Sequence, residues 1–129
     1  SQLFIPHLQE QGAPAIILVT SGLAFVPLAS VPVYCATKAA LHSFALSMRH
    51  QLASGPIGVI EIAPPHVNTD LGTPGSNAAG MPLEEFTDAA MAGLARGDLE
   101  VTCGFSSKVS QASRAQVDEI FGQLNPRGR

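Results

Sequence analysis

Three residues in this chain have the types and the spacing to do chemistry on a carbonyl group. Tyr34 and Lys38 stand four apart in the run Pro32-Val33-Tyr34-Cys35-Ala36-Thr37-Lys38-Ala39-Ala40, and Ser21 precedes the tyrosine by thirteen positions. On a helix, residues at i and i+4 share a face, so a phenol and an ammonium there project together. A neighbouring ammonium favours the phenolate, which tunes a proton donor toward working pH for general acid–base catalysis. A serine at the end of a strand adds a hydroxyl that can donate to a substrate oxygen and stabilise developing negative charge. No glycine-rich phosphate loop lies upstream of the set. The chain reads as the chemical half of an enzyme without a cofactor half.

The elements that must position these residues follow from periodicity and punctuation. Leu3, Phe4, Ile5 and Leu8 recur at helical spacing, and Gly12-Ala13-Pro14 ends that segment. Residues 15–20 form a continuous apolar, β-branched run, the pattern of a strand buried on both faces and hence parallel. Ser21-Gly22 opens a loop at its carboxyl end, where open α/β sheets place ligands. From 33 to 54 the pattern is helical and alanine-rich, with Pro32 suited to the helix start. Ala36, Ala39, Ala40, Ser43 and Ser47 make one side small, a surface for close packing on the sheet or on a twin helix. Residues 57–63 read as a second buried strand, halted by Pro64-Pro65. Residues 66–82 form a long loop of the kind that serves as a lid. A helix over 82–96 starts with Glu84-Glu85 in its first turn and ends at Gly97. A short strand over 99–103 and a polar helix over 114–124 complete the pattern. The alternation predicts an α/β parallel sheet in a single domain over 1–129, with no repeat and no linker.

Composition narrows the function classes. The chain has 129 residues, 46% of them hydrophobic and 13% charged, enough apolar material for one soluble core. Charge is sparse, which points to extra buried surface, against missing sequence or a second subunit. With a net charge of −3 and no basic cluster apart from the terminal Arg127-Gly128-Arg129, a phosphate-tracking nucleic-acid surface is excluded. Two cysteines, Cys35 and Cys103, supply neither a zinc set nor a disulfide framework, as expected of a reduced cytoplasmic protein. No apolar run reaches the roughly 20 residues that cross a bilayer. The first eleven residues lack the basic start of a signal peptide. The chain begins without methionine in what reads as the end of a helix, so truncation or processing at that end is expected.

Residues 15–69 resemble short-chain dehydrogenases/reductases. The resemblance rests on Val19-Thr20-Ser21-Gly22, on the Tyr34-x-x-x-Lys38 pair at the expected distance, and on Pro64-Pro65-His66-Val67-Asn68-Thr69. The wording Tyr34-Cys35-Ala36-Thr37-Lys38-Ala39-Ala40-Leu41-His42-Ser43, with Ala63-Pro64-Pro65 and Thr69-Asp70-Leu71, is similar to the branch named after D-alanine esterification of teichoic acid. The resemblance implies a partial Rossmann-like, doubly wound parallel sheet of about three strands that lacks the amino-terminal nucleotide-binding half with its other four strands. It implies NAD or NADP as cofactor and a small carbonyl or alcohol as substrate. Tyr34 would exchange the proton, Lys38 would favour the phenolate and bind the nicotinamide ribose, and Ser21 would polarise the carbonyl. Pro64, Val67 and Thr69 match the family segment that touches the nicotinamide end, whereas Pro65 replaces its usual glycine and removes a backbone donor. The family's catalytic asparagine would precede residue 1.

Other residues are weighed against plainer roles. His66, in the lid loop, and Phe25 are candidate substrate contacts. His42 and His50 read as polar surface or interface residues, His7 as solvated, and no metal site is expected. Cys35 reads as small packing, Met81 and Met91 as core or lid packing. No Gly-x-Ser-x-Gly elbow is present. A cofactor-independent esterase-like hydrolase reusing Ser21, Tyr34 and Lys38 is one alternative, and a non-catalytic oligomerising fragment is another. An open, apolar edge on the strand at 15–20 predicts a homo-oligomer.

Overall fold

The computed structural model describes residues 2–126, so Arg127-Gly128-Arg129 lies outside the described residues. A 3-10 segment, Gln2–Phe4, leads into helix α1, Ile5–Gln9. Strand β1, Ala15–Val19, is followed by a 3-10 turn, Gly22–Ala24, and then by helix α2, Pro32–Gln51. Strand β2, Gly58–Ala63, helix α3, Leu83–Arg96, and strand β3, Glu100–Thr102, come next. Helices α4, Gly104–Ser110, and α5, Arg114–Leu124, close the fold. The sheet has three parallel strands in the order β1-β2-β3, with Leu18 opposite Glu61 and Glu61 opposite Glu100. Parallel neighbours need long crossovers, and α2 and α3 supply them. The α/β parallel architecture is the expected one.

The faces differ from the sequence pattern in two places. Thr20 and Ser21 at the end of β1 are buried, but Ile17 and Val19 are 47% and 52% exposed. Strand β1 is therefore covered on one face only, because α2 packs on the side of Leu18 and Thr20 while α3 lies across the sheet on β3. On α2 the buried positions are Cys35, Ala45 and Met48, and the small stripe Ala36, Ala39, Ala40, Ser43 and Ser47 faces outward. Of the two partners expected for that stripe, the sheet is ruled out by the phase of the helix. Met91, expected to pack, is 65% exposed.

Helix α4 has no counterpart in the sequence reading. Its seven residues carry three serines and an opening glycine, too short and polar for a periodic signal. What makes it a helix is local and tertiary together. Ser106 Oγ accepts from Cys103 N and donates to Cys103 O, and Phe105 and Val109 join a core with Val26, Ile120, Val117 and Leu124. This core ties the carboxyl-terminal helices to the loop between Ser21 and Tyr34. Asn125 adds a clasp: its Oδ1 accepts from Ala29 N at 2.6 Å and its Nδ2 donates to Pro27 O at 3.1 Å.

Helix α3 reaches β3 through a glycine. A Cβ at Gly93 would stand 2.7 Å from Val101 Cγ1 and 3.1 Å from Cγ2. Alanine gains about 1 kcal/mol of helix propensity over glycine, but overpacking a buried contact costs about 1–3 kcal/mol. Gly93→Ala is therefore expected to destabilise the protein by about 1 kcal/mol in denaturant unfolding. A stabilised variant would mean that α3 does not bear on Val101.

Candidate active site

Ser21 sits where β1 runs out. The ladder continues on either side of it, with Thr20 N donating to Ile62 O at 2.8 Å and Gly22 N donating to Pro64 O at 2.9 Å. The serine caps the 3-10 turn: its Oγ accepts from Leu23 N at 3.2 Å, which leaves its own O–H free to donate. Gly22 allows α4 to close on this turn, since a Cβ there would meet Phe105 and Ser106 at 3.1–3.3 Å.

Tyr34 and Lys38 lie in the first turns of α2. Pro32 fits the start because its missing N–H falls where the helix has no acceptor for one. The Lys38 Nζ donates to Val19 O at 2.9 Å and stands 5.6 Å from the centroid of the Tyr34 ring. A single ammonium thus bridges the strand end that carries Ser21 and the ring that carries the phenol. Tyr34 remains 38% exposed, and its hydroxyl has no hydrogen-bond partner among the described residues. Two of the three Lys38 N–H donors are likewise uncommitted. A free phenol, a doubly available ammonium and, at the strand end, a free serine O–H are each able to donate to an oxygen.

Pro64, Val67 and Thr69 follow β2 on the same end of the sheet. Val67 forms an isolated parallel bridge with Met81, with Asn68 N donating to Met81 O and Met81 N to His66 O, both at 2.8 Å. The expected lid loop is thereby pinched shut at its base. Within it Asn77 Nδ2 donates to Thr69 O and Leu71 O, and His66 Nε2 lies 2.9 Å from Asn77 Oδ1. With the amide oxygen accepting, His66 carries its proton on Nε2. Phe25 packs its ring edge-on against His42 at 4.7 Å and against the Val26 core. His7 and His50 are exposed.

Four residues given no catalytic role by the sequence, Thr20, His42, Glu61 and Glu100, meet directly beneath this set. Glu61, in the middle of β2, is wholly buried. Its Oε1 accepts from Thr20 Oγ1 at 2.6 Å, and His42 Nδ1 lies 2.8 Å from Oε2 and 3.1 Å from Oε1. His42 is therefore not a surface histidine but the partner of a buried carboxylate. Glu100, opposite Glu61 on β3, completes a group whose ligand atoms all lie within 4.8 Å of one another. One signal was available: a lone glutamate inside the apolar run 57–63 must find partners, since an unpaired buried carboxylate is prohibitively costly. Cys35 is buried and exchanges hydrogen bonds with the Leu28 backbone. Burial, reinforced by the Glu85 carboxylate, pushes the Cys103 thiol above its usual range.

Comparison with known proteins identifies a family and a fold. The family model described as short chain dehydrogenase matches residues 1–79. The uncharacterized oxidoreductase DltE of Bacillus subtilis (strain 168) is 48% identical over 130 residues, covering 97% of this chain and 52% of that protein. An uncharacterized oxidoreductase of Staphylococcus epidermidis is 32% identical over 95 residues, 72% of this chain and 41% of its own length. A crystal structure of a short chain dehydrogenase from Burkholderia cenocepacia J2315 in complex with NADP superimposes with a TM-score of 0.78 at 28% identity, over 95% of this chain and 53% of that one. The chain thus spans about half the length of the Bacillus and Burkholderia relatives.

Proposed function

The chain belongs to the short chain dehydrogenase family, and we propose that the protein carrying it is a nicotinamide-dependent oxidoreductase that reduces a small carbonyl compound or oxidises the corresponding alcohol. The observation that carries this reading is the single ammonium of Lys38 joining Val19 O, two residues before Ser21, to the Tyr34 ring. Membership in the family and the NADP bound to the Burkholderia relative support the choice of cofactor.

The residues divide the work by their chemistry. Ser21 donates its O–H to the substrate oxygen, since its Oγ accepts from Leu23 N and its own proton is uncommitted. Tyr34 delivers the phenolic proton to that same oxygen as the carbon is reduced, and takes a proton back in the direction of oxidation. Lys38 keeps one N–H on Val19 O and offers the others to the ribose hydroxyls and to the phenolate electrostatically. Pro64, Val67 and Thr69, on the segment hydrogen-bonded beside Gly22, would hold the nicotinamide end. Phe25 and His66 flank the substrate. When bound, NAD or NADP supplies or accepts the hydride. Among the described residues Ser21 Oγ is hydrogen-bonded to Leu23 N and to no base, so no contact favours a hydrolase reading of the same residues.

The test is nucleotide oxidation by the protein at its full natural length, with a panel of aldehydes and ketones. Turnover that needs NADPH or NADH and falls by about 10²–10³ in Ser21→Ala is expected, the usual cost of losing one oxyanion donor. Ester turnover without nucleotide, abolished by the same substitution, would overturn the reading.

We also take residues 1–129 as one domain of a cytoplasmic homo-oligomer. No helix among the described residues is long and apolar enough to cross a membrane. The outer edge of β1 has no strand partner among the described residues, and Val33 and Phe44 stand exposed beside the small stripe of α2. Open edges and apolar helix faces favour association. Light scattering at micromolar concentration is expected to give at least twice the protomer mass; a monodisperse monomer would refute association.

A further inference from the structure

We propose that Glu61 is a positioning residue, which through Thr20 and His42 locks the strand end bearing Ser21 onto the helix stripe bearing Tyr34 and Lys38. This rests on the oxidoreductase reading above for the roles of those three residues, but not for the lock itself.

The geometry is that of a cross-brace. Thr20 is the residue directly before Ser21, and its hydroxyl donates to Glu61 Oε1 at 2.6 Å. His42 lies one helical turn beyond Lys38, as Lys38 lies one turn beyond Tyr34, so the three share one stripe of α2. The imidazole meets the other oxygen of the same carboxylate at 2.8 Å. Glu61 therefore joins the residue before Ser21 to the helix turn after Lys38, touching none of the three catalytic residues itself. A second tie, from Lys38 Nζ to Val19 O, joins the same helix to the same strand end. Phe25 closes over the imidazole edge, and Glu100 faces the pair from β3.

Energetics argue that the group is there for direction. A buried polar pair, charged or not, seldom stabilises more than well-packed apolar residues of the same volume. An apolar side chain between β2 and α2 would hold the layers together yet leave the strand end free to slide. Hydrogen bonds fix separation and angle. The tolerance at such a site is small, since a displacement of about 1 Å can lower turnover about 100-fold.

Thr20 is the place to test this, because removing its hydroxyl cuts the brace without uncovering the carboxylate. Thr20→Val, Thr20→Ser and Glu61→Gln are compared with the wild type at full natural length. Thr20→Val is expected to lower kcat by about 10–100-fold with the nucleotide KM nearly unchanged, and Thr20→Ser to recover most of it. Backbone hydrogen exchange at Gly22 and Leu23, measured in parallel, is expected to quicken about tenfold in Thr20→Val and not in Thr20→Ser. Unchanged kcat and unchanged exchange in Thr20→Val would overturn the proposal, as would a loss that Thr20→Ser fails to restore. If Glu61→Gln does not fold, the two threonine variants decide alone. A wild type with no nucleotide-dependent turnover would sink the oxidoreductase reading instead, and the exchange comparison would still decide the brace.

Discussion

Tyr34→Phe is expected to lower kcat by about 10²–10⁴-fold, the range set by loss of a general acid. The substitution removes one oxygen and keeps the ring. That oxygen makes no hydrogen bond to the described residues, and the side chain is exposed, so folding loses little. Thermal stability should stay within about 0.5 kcal/mol of wild type, as for a surface change away from special features. The two measurements together separate catalysis from structure: turnover collapses while the melting curve stays put. The nucleotide KM is expected to change little, because Lys38 and the 64–69 segment remain. A variant that keeps more than a tenth of wild-type turnover would remove Tyr34 from proton transfer.

Glu61→Ala is expected to be the most destabilising single change at the site, by about 3 kcal/mol. Two costs combine. Deleting the side chain leaves a cavity between β2 and α2, and large-to-small changes in a core cost about 2–5 kcal/mol. It also leaves the buried Thr20 hydroxyl with only Ile62 O, a poor acceptor at 3.5 Å, and His42 without its partner. Breaking one side of a buried pair in this way is costly. Glu61→Leu fills the space and is expected to recover a large part of the loss, since apolar replacement of buried charge is often tolerated. Denaturant unfolding of both variants measures the difference. If Glu61→Ala matched wild type, the carboxylate would have to be solvated rather than buried.

Much of this architecture was legible in the chain itself. The run 15–20, the alanine-rich helix after Pro32 and the stop at Gly97 each carry their own local cause: β-branched apolar residues, a proline at a helix start, a glycine with φ of 80° at a helix end. The spacing of Tyr34 and Lys38 needed only helical geometry to put both on one face. The face of β1 that stands open, and the outward turn of the small stripe on α2, were not legible. Composition along a strand or helix says how apolar each side is, not which neighbours arrive to cover it. Helix α4 was hidden for a related reason, because its stability comes from Val26 and Ile120, distant in sequence.

The chain alone determined the chemistry on offer, because a phenol, an ammonium and a strand-end serine follow from residue types and from periods fixed by backbone geometry. It also determined that the strands would be parallel, since each is joined to the next through a helix. Tertiary structure decided how those groups are held. Only folding sets Thr20 and His42 around the buried Glu61 carboxyl, because the Thr20 contact spans 41 positions along the chain and the pair depends on strand register and helix phase together. Long-range electrostatic pairing of this kind leaves one local trace, a charge where an apolar residue belongs, and only packing names its partner.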